Sequence, residues 1–540
     1  MSASNPTPSG GPLVEGPRDP EHDATASYAL EPDYVARLTG RILATSGESN
    51  QVRSPIDGAP LAHIPQSTDA DVAEAFARAR KAQQKWAATP VEEREAFLLR
   101  LHDLVLDRQQ EILDLIVLES GKARKHAFDE PLHIALTARY YGRKSHQILN
   151  SERRLGVIPG LTRVDLNHTP KGVVGIISPW NYPFTMALCD GLAALAAGNA
   201  VVAKPDAQTM LSALLGAQLL EEAGLPKDLW IVVAGPGSKV GTSIIGRADY
   251  VCFTGSTNTG KIVARECAER LIGCSLELGG KNPMLILADA DIERAAEGAT
   301  RAVFSNAGQL CVSIERLFVA DAIYDRFVER FVARTEAMTL GATLSWENDM
   351  GTLISQDQVD VATAHVEDAV AKGARVLAGG KARPDLAPYF FEPTILEGVT
   401  PEMTVFCNET FGPIVSIYRF HSEDEAVERA NDGEYGLNGS IYSRDTARAR
   451  AIASRIKCGT VNVNEAFAAS FASIDAPMGG MRQSGMGRRQ GSEGLLRYTE
   501  SQSVATQRVL RFSPMLGLSE ESYAKVMTAS LRVLNKLGRA

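Results

Sequence analysis

A chain of 540 residues, 44% hydrophobic and 22% charged, is long enough for two or three domains with large cores and has the composition of a soluble globular protein. A net charge of -9, spread along the chain, excludes the basic face that a nucleic-acid partner needs. The seven cysteines show no C-x-x-C spacing and the nine histidines no H-E-x-x-H pair, which argues against a disulfide framework and a metal site and for a reducing, cytoplasmic setting.

In chain order, residues 1–30 are rich in Pro, Gly and Ser, with neither the basic start nor the apolar stretch of a signal peptide. They read as a disordered extension. From Asp69 to His146 the apolar residues recur at helical spacing, with Val72, Ala75, Phe76 and Ala79 on one face. The segment Arg153–Gly172 reads as a hairpin arm with no core of its own, of the kind that pairs with a second subunit. The period then changes. Short apolar runs at Gly172–Ser178, Ala200–Lys204, Leu229–Gly235 and Asp249–Gly255 alternate with helical stretches ending at Gly198 and Gly224. That alternation predicts right-handed βαβ units and a parallel sheet covered on both faces. It resumes after Glu277 and continues to about Val463, predicting a second α/β domain. Near the C-terminus, Tyr523, Val526, Met527, Leu531, Leu534 and Leu537 share one helix face, expected to dock on this chain or a partner. No apolar run reaches the ~20 residues needed to span a bilayer.

Six stretches carry chemistry. In "SPWNYPF", Asn181 follows a strand at the sheet edge where open α/β sheets bind ligands, and its carboxamide suits either an oxyanion or a loop cap. In "VVAKPD", Lys204 ends a strand, as a ribose or phosphate contact or a solvated cation. In "FTGSTNTGK" a strand leads through Gly255, four residues and Gly260 into a helix, presenting N–H groups to a pyrophosphate. It matches neither G-x-G-x-x-G nor a Walker A loop. In "LELGGKNP" the carboxylate of Glu277 sits in an apolar strand, where burial raises its pKa toward that of a general base; an ion-paired structural Glu is the alternative. In "ETFGP", Glu409 precedes a turn and is placed to accept from a ribose. In "FSNAGQLCVSIERLFV", Cys311 is either a packing residue or a nucleophile at a loop tip.

Their order and separations, above all "ELGGKNP" with Cys311 lying 34 residues after Glu277, resemble the aldehyde dehydrogenase superfamily from about Ser54 to Thr506, with the nearest likeness to actinobacterial succinate-semialdehyde dehydrogenases. The resemblance implies a Rossmann-type parallel-sheet cofactor domain (31–151 and 171–277), an α/β catalytic domain (278–475), oligomerisation elements (152–170 and 490–510) and a C-terminal helical tail (511–540). It implies Cys311 as nucleophile, Glu277 as general base and Asn181 as oxyanion donor. Trp180, Lys204, Ala207, Gly255, Ser256, Glu409 and Phe411 are implied at the cofactor, and Gly308 as a gap for the close approach of cofactor and substrate. The implied cofactor is NADP, with NAD as the alternative, because members that prefer NAD commonly carry a glutamate where this chain has Ala207. The implied assembly is a homodimer or homotetramer, and the implied reaction is oxidation of succinate semialdehyde to succinate. Oxidation of another aliphatic or aromatic aldehyde, acyl transfer to coenzyme A and a non-catalytic scaffold are the alternatives. The chain departs from the family in carrying Asp190 where many members have lysine. It also carries Cys189 and Ser305 where known succinate-semialdehyde enzymes have the arginines that grip the substrate carboxylate.

Overall fold

The computed structural model describes residues 28–157, 162–507, 513–514, 517–536 and 538. Residues 1–27 of the expected N-terminal extension lie outside these residues, and Tyr28 and Leu30 at its end are buried. The chain forms two compact units. One runs up to Ile148 and from Pro170 to Tyr498, and the other comprises Leu149–Thr169 and the chain from Thr499 onward.

In the larger unit, helices at Asp69–Ala87, Val91–Asp107, Gln109–Ser120 and Asp129–Leu149 fill the region of helical periodicity. The first is started by a capping box. The Thr68 hydroxyl accepts from Asp71 N–H while the Asp71 carboxylate accepts from Thr68 N–H, satisfying two donors that a helix end leaves open. The apolar face read from the sequence is buried: Val72, Ala75, Phe76 and Ala79.

The first sheet has the order Gly485–Met486, Gly273–Glu277, Tyr250–Thr254, Val173–Ile177, Ala200–Lys204, Trp230–Val232. All pairs are parallel except the Gly485–Met486 edge, which runs antiparallel to Leu276 and Glu277. The Val173–Ile177 and Ala200–Lys204 strands are buried at every position, as helix-covered parallel strands must be. The strand order reverses between Val173–Ile177 and Tyr250–Thr254. The crevice beyond their C-terminal ends is therefore the switch point where such sheets bind ligands. Asn181 and Trp180 leave one of these strands, Gly255 and Ser256 the other, and Glu277 ends the next strand.

The second sheet has the order Arg375–Ala378, Thr394–Glu397, Ile414–Phe420, Ile314–Ala320, Asn282–Ile286, Asn438–Tyr442, Thr460–Val463, parallel but for its first pair. Cys311 lies in the loop entering Ile314–Ala320, and Glu409 in the loop entering Ile414–Phe420.

One local expectation is corrected. The helix after Gly255 begins at Thr257, so Gly260 lies inside its first turn rather than in the loop before it. Ser256 is the N-cap and sets that start. Gly260 packs against Leu278, whose side chain a Cβ would meet at 2.5 Å.

In the smaller unit, Glu152–Arg154, Thr162–Pro170 and Thr499–Gln507 form a three-stranded sheet with Thr162–Pro170 at its centre. The helix Glu520–Lys536 buries none of its described side chains, and Val526 and Leu531 are exposed. Leu537 of the expected apolar face lies outside the described residues. Among the described residues no helix is long and apolar enough to cross a membrane.

Candidate active site

The loop that carries Cys311 has an uncommon backbone. Asn306 (φ 51°), Ala307 (φ 51°) and Gly308 (φ 73°) are three consecutive left-handed residues. Two of them are not glycine, a conformation that persists only where its surroundings impose it. Here side-chain amides impose it by donating to the loop's carbonyls. Asn181 Nδ2 donates to Gln309 O (2.9 Å), Asn282 Nδ2 to Cys311 O (2.8 Å) and Ser313 O (2.7 Å), and Asn438 Nδ2 to Val312 O (3.0 Å). The Gln309 side chain donates to Asn306 O (3.0 Å) and accepts from Ile354 N–H (3.0 Å).

Gly308 has a different role from the one expected. A Cβ there would sit 2.0 Å from Gly412 O, so the missing side chain lets two backbones touch and locks the Cys311 loop to the Glu409 loop. It does not line the cavity described next.

Cys311, Asn181 and Glu277, brought from three strand ends, line one cavity of about 280 Å³. Trp180, Gly255, Ser256, Glu409 and Phe411 line it too. Lys204 and Ala207 do not. They follow one another at the C-terminal end of the strand beside Val173–Ile177, with Ala207 opening a short 3₁₀ turn. Among the described residues no cluster of three or more His, Cys, Asp or Glu is placed to hold a metal ion.

Asn181 is held from behind. Its carbonyl accepts from Lys122 Nζ (2.6 Å) and from Asn306 Nδ2 (3.1 Å). Lys122 is buried, paired with Glu130 at 2.6 Å, and lies 3.8 Å from the centroid of the Tyr182 ring. With one amide N–H on Gln309 O, the Asn181 side chain keeps a second donor for the cavity.

The electrostatics follow from burial. Burial pushes the Glu277 carboxyl up to about 6, with Arg489 opposing and Asp190 assisting. The half-buried Cys311 thiol is pushed up to about 12, by burial first, with Arg489 opposing and Glu277 and Glu409 assisting. The sulfur is therefore neutral in the free protein. Burial and the neighbouring Glu315 raise Glu409 to about 8, although one of its oxygens accepts from Gly280 N–H (2.7 Å). Glu315 takes the Thr410 and Phe411 N–H groups (3.0 and 3.1 Å) and pairs with Lys281, which fixes the loop that carries Glu409.

A nucleotide fits the remaining groups. Among the described residues the buried ammonium of Lys204 reaches only Pro205 O, at 3.4 Å, and burial lowers its pKa. A nearly unpartnered buried cation at the sheet edge is a ready donor for a ribose hydroxyl or a phosphate. Ser256 and the helix at Thr257 offer N–H groups to a pyrophosphate, Glu409 offers a carboxyl group, and Trp180 and Phe411 meet edge to face at 5.5 Å. Lys122, Glu130, Asn306, Gln309 and Arg489 were not singled out from the sequence. Asn306 and Gln309 lie inside the quoted cysteine motif, where polar residues beside a nucleophile are a usable signal. Arg489 stands 178 residues beyond Cys311 and gives no local signal.

Two parallel sheets that bring a thiol, a carboxamide and a carboxylate to one cavity beside the switch-point crevice have the architecture of an enzyme. The model of the aldehyde dehydrogenase family matches residues 42–504, and the chain belongs to that family. It is 51% identical over 490 residues, 91% of this chain and 95% of the relative, to a Mycolicibacterium smegmatis protein named "Putative succinate-semialdehyde dehydrogenase", whose name gives NADP(+). It is 37% identical to a 3-sulfolactaldehyde dehydrogenase of Pseudomonas putida, over 86% of this chain and 94% of that one. A Bacillus cereus aldehyde dehydrogenase solved as an NAD+ complex superposes with a TM-score of 0.83 at 34% identity, covering 88% of this chain and 99% of that one.

Two expectations follow from this geometry. Gly308→Ala should lower stability by ~2–5 kcal/mol, since it adds backbone strain to a contact that cannot open without moving Gly412; thermal unfolding measures this, and an unchanged midpoint would show that the two loops do not touch. Alkylation of Cys311 by iodoacetamide should keep rising with pH past the ordinary thiol range of about 8.5. Peptide mass spectrometry can follow it with the exposed Cys407 as internal control, and a plateau by pH 8 would contradict a buried neutral thiol.

Proposed function

We propose that this protein oxidises an aldehyde to a carboxylic acid through a thioester on Cys311, using NADP in preference to NAD. The observation that carries this reading is that Cys311, Asn181 and Glu277 line one cavity beside the nucleotide crevice. The Cys311 thiol gives up its proton to water, its sulfur attacks the aldehyde carbon, and the carbonyl oxygen becomes an oxyanion. The free N–H of Asn181 and the Cys311 backbone N–H stabilise that charge, a contribution of about 3 kcal/mol per donor in comparable sites. Bound NADP or NAD supplies the hydride acceptor, so the adduct carbon is left as an acyl group on sulfur. Glu277 then takes a proton from water, the water oxygen bonds to the acyl carbon, and the C–S bond breaks with its electron pair returning to sulfur. Lys204, Glu409, Ser256 and the helix start at Thr257 are the groups that hold the nucleotide.

Succinate semialdehyde is the substrate supported by the name of the relative at 51% identity. A second reading, a more apolar aliphatic or aromatic aldehyde, is favoured by the cavity wall. Tyr182, Met186, Leu310, Val312, Phe467 and Phe471 line it, and no arginine stands at 189 or 305 to take a carboxylate. A panel of aldehydes compared by kcat/KM separates the two. Transfer to coenzyme A is disfavoured because Glu277 is present to activate water. The sheet that contains the Thr162–Pro170 strand is the element proposed to join subunits into a homodimer or homotetramer.

Cys311→Ala should lose more than 99% of turnover, and Glu277→Gln should give a burst of one reduced cofactor per site followed by a steady state at least ~100-fold slower. Stopped-flow absorbance at 340 nm reads both, and a Gln variant with no burst and no trapped acyl group would exclude Glu277 as the deacylation base. For the cofactor, Ala207→Glu should raise the KM for NADP far more than that for NAD. Two like charges at ~4 Å cost about 4 kcal/mol at an effective dielectric of 20, enough to decide the preference. Equal effects on both cofactors would show that residue 207 does not face the ribose.

A further inference from the structure

Arg489 is the one cation among the described residues that line the cavity. Its Nη2 donates to Asp190 Oδ2 (3.1 Å) and to Thr254 Oγ1 (3.2 Å). The other oxygen of Asp190 accepts from Arg497 Nη2 at 2.6 Å, and Arg497 also donates to the Tyr498 hydroxyl (2.6 Å). Arg489, Arg497, Asp190 and Glu277 are all nearly inaccessible, with side-chain exposures of 6 to 9%. Burial alone would raise Asp190, but the two arginines hold it below its ordinary value.

Three polar atoms in this cluster have no hydrogen-bond partner among the described residues: Arg489 Nε, Arg497 Nε and Glu277 Oε1. Arg489 Nε and Glu277 Oε1 face each other at 3.7 Å. Buried donors and acceptors are rarely left unpaired, and two orphans of opposite charge opposite one another point to a shared role. The gap is too long for a hydrogen bond and short enough for strong attraction. The charges point the same way. Two arginines and Asp190 leave one positive charge, and the cluster is neutral only when Glu277 is ionised.

We propose that Arg489, anchored by Asp190, is the positioning residue for Glu277: it stabilises the carboxylate as an anion without locking it by a hydrogen bond, leaving it free to turn into the cavity and take a proton from water. The proposal rests on the reading of Glu277 as the deacylation base. It assigns a purpose to the acid at 190. Asp190 orients the arginine and moderates its pull, so that Glu277 stays ionised near neutrality yet remains basic enough to act. The other titratable groups around the pair are Cys311 from its loop, Cys189 from the Asp190 helix, His133 from the Asp129–Leu149 helix, and Arg488 and Arg497 from the chain after Gly485. Of these, His133 is held neutral by burial, its pKa lowered to about 3, and Cys189 stays a thiol, raised to about 12.

The test is the pH profile of deacylation, measured under conditions where wild type and variants share a saturating cofactor. Arg489→Gln should move the acid limb upward by about one pH unit or more, because the lost cation no longer favours the carboxylate. It should also convert the progress curve to a burst followed by slow turnover, with kcat and aldehyde KM falling together and kcat/KM little changed. Arg489→Lys should recover part of the rate and part of the shift. Asp190→Asn should move the limb the other way, downward, since it removes a repelling charge and frees Arg489 to bind Glu277. This variant decides the matter if the Gln variant does not fold. An acid limb that stays where it is in a folded Arg489→Gln or Asp190→Asn protein overturns the proposal. So does a rise in KM confined to aldehydes that carry a carboxylate, which would make Arg489 a substrate contact. The Glu277→Gln burst separates the two levels: if it is absent the base assignment itself fails, and if it is present while the limb does not move only the role of Arg489 fails.

Discussion

The structure of this site depends on carbonyls that have no ladder to join. The chain around Cys311 bends through three left-handed residues, which takes it out of any helix or sheet. Its carbonyls at 309, 311, 312 and 313 are then satisfied one by one by the amides of Asn181, Asn282 and Asn438. A buried carbonyl left unpaired costs about 1–3 kcal/mol, so each amide stabilises the bend by roughly what its loss would cost. The same bonds tie the sulfur to both sheets: Asn181 follows a strand of the first, and Asn282 and Asn438 begin strands of the second. Cys311 is placed by the meeting of two sheets rather than by its own segment.

Burial explains the electrostatics in the same terms. Burial in this cavity raises the pKa of Glu277, Glu409 and Cys311 together, since each is harder to ionise there. A base in the range of about 6 is ionised at neutral pH and still basic enough to act. A thiol at about 12 is not ionised at neutral pH. Positive charge is supplied sparingly: Lys122 sits behind Asn181, Lys281 behind the Glu409 loop, and Arg489 beside Glu277.

Much of this was legible in the chain. Strand and helix alternation gave the parallel sheet, because fully buried strands leave runs such as "VVGII" and "AVVAK" with no polar face. Cys311, Glu277 and Asn181 stood in motifs whose order is specific, and the structure brings all three to one cavity. What was not legible is of two kinds. The start of the helix at Thr257 rather than after Gly260 turned on Ser256 acting as cap, a local competition that spacing does not resolve. Lys122, Glu130 and Arg489 act through contacts with residues 55 to 299 positions away, and nothing in their own neighbourhood marks them. Gly308 was noticed for the right property and assigned the wrong neighbour, since only the fold shows that Gly412 lies against it.

The claim on which the rest stands is that an acyl group is carried by Cys311 and released by Glu277. Peptide mass spectrometry of Glu277→Gln, quenched in acid after exposure to aldehyde and NADP, tests it most directly. The expected result is one acyl mass on the peptide containing Cys311, in an amount equal to the reduced cofactor formed. Reduced cofactor accumulating while Cys311 stays unmodified, or the acyl mass on any of the other six cysteines, would contradict it.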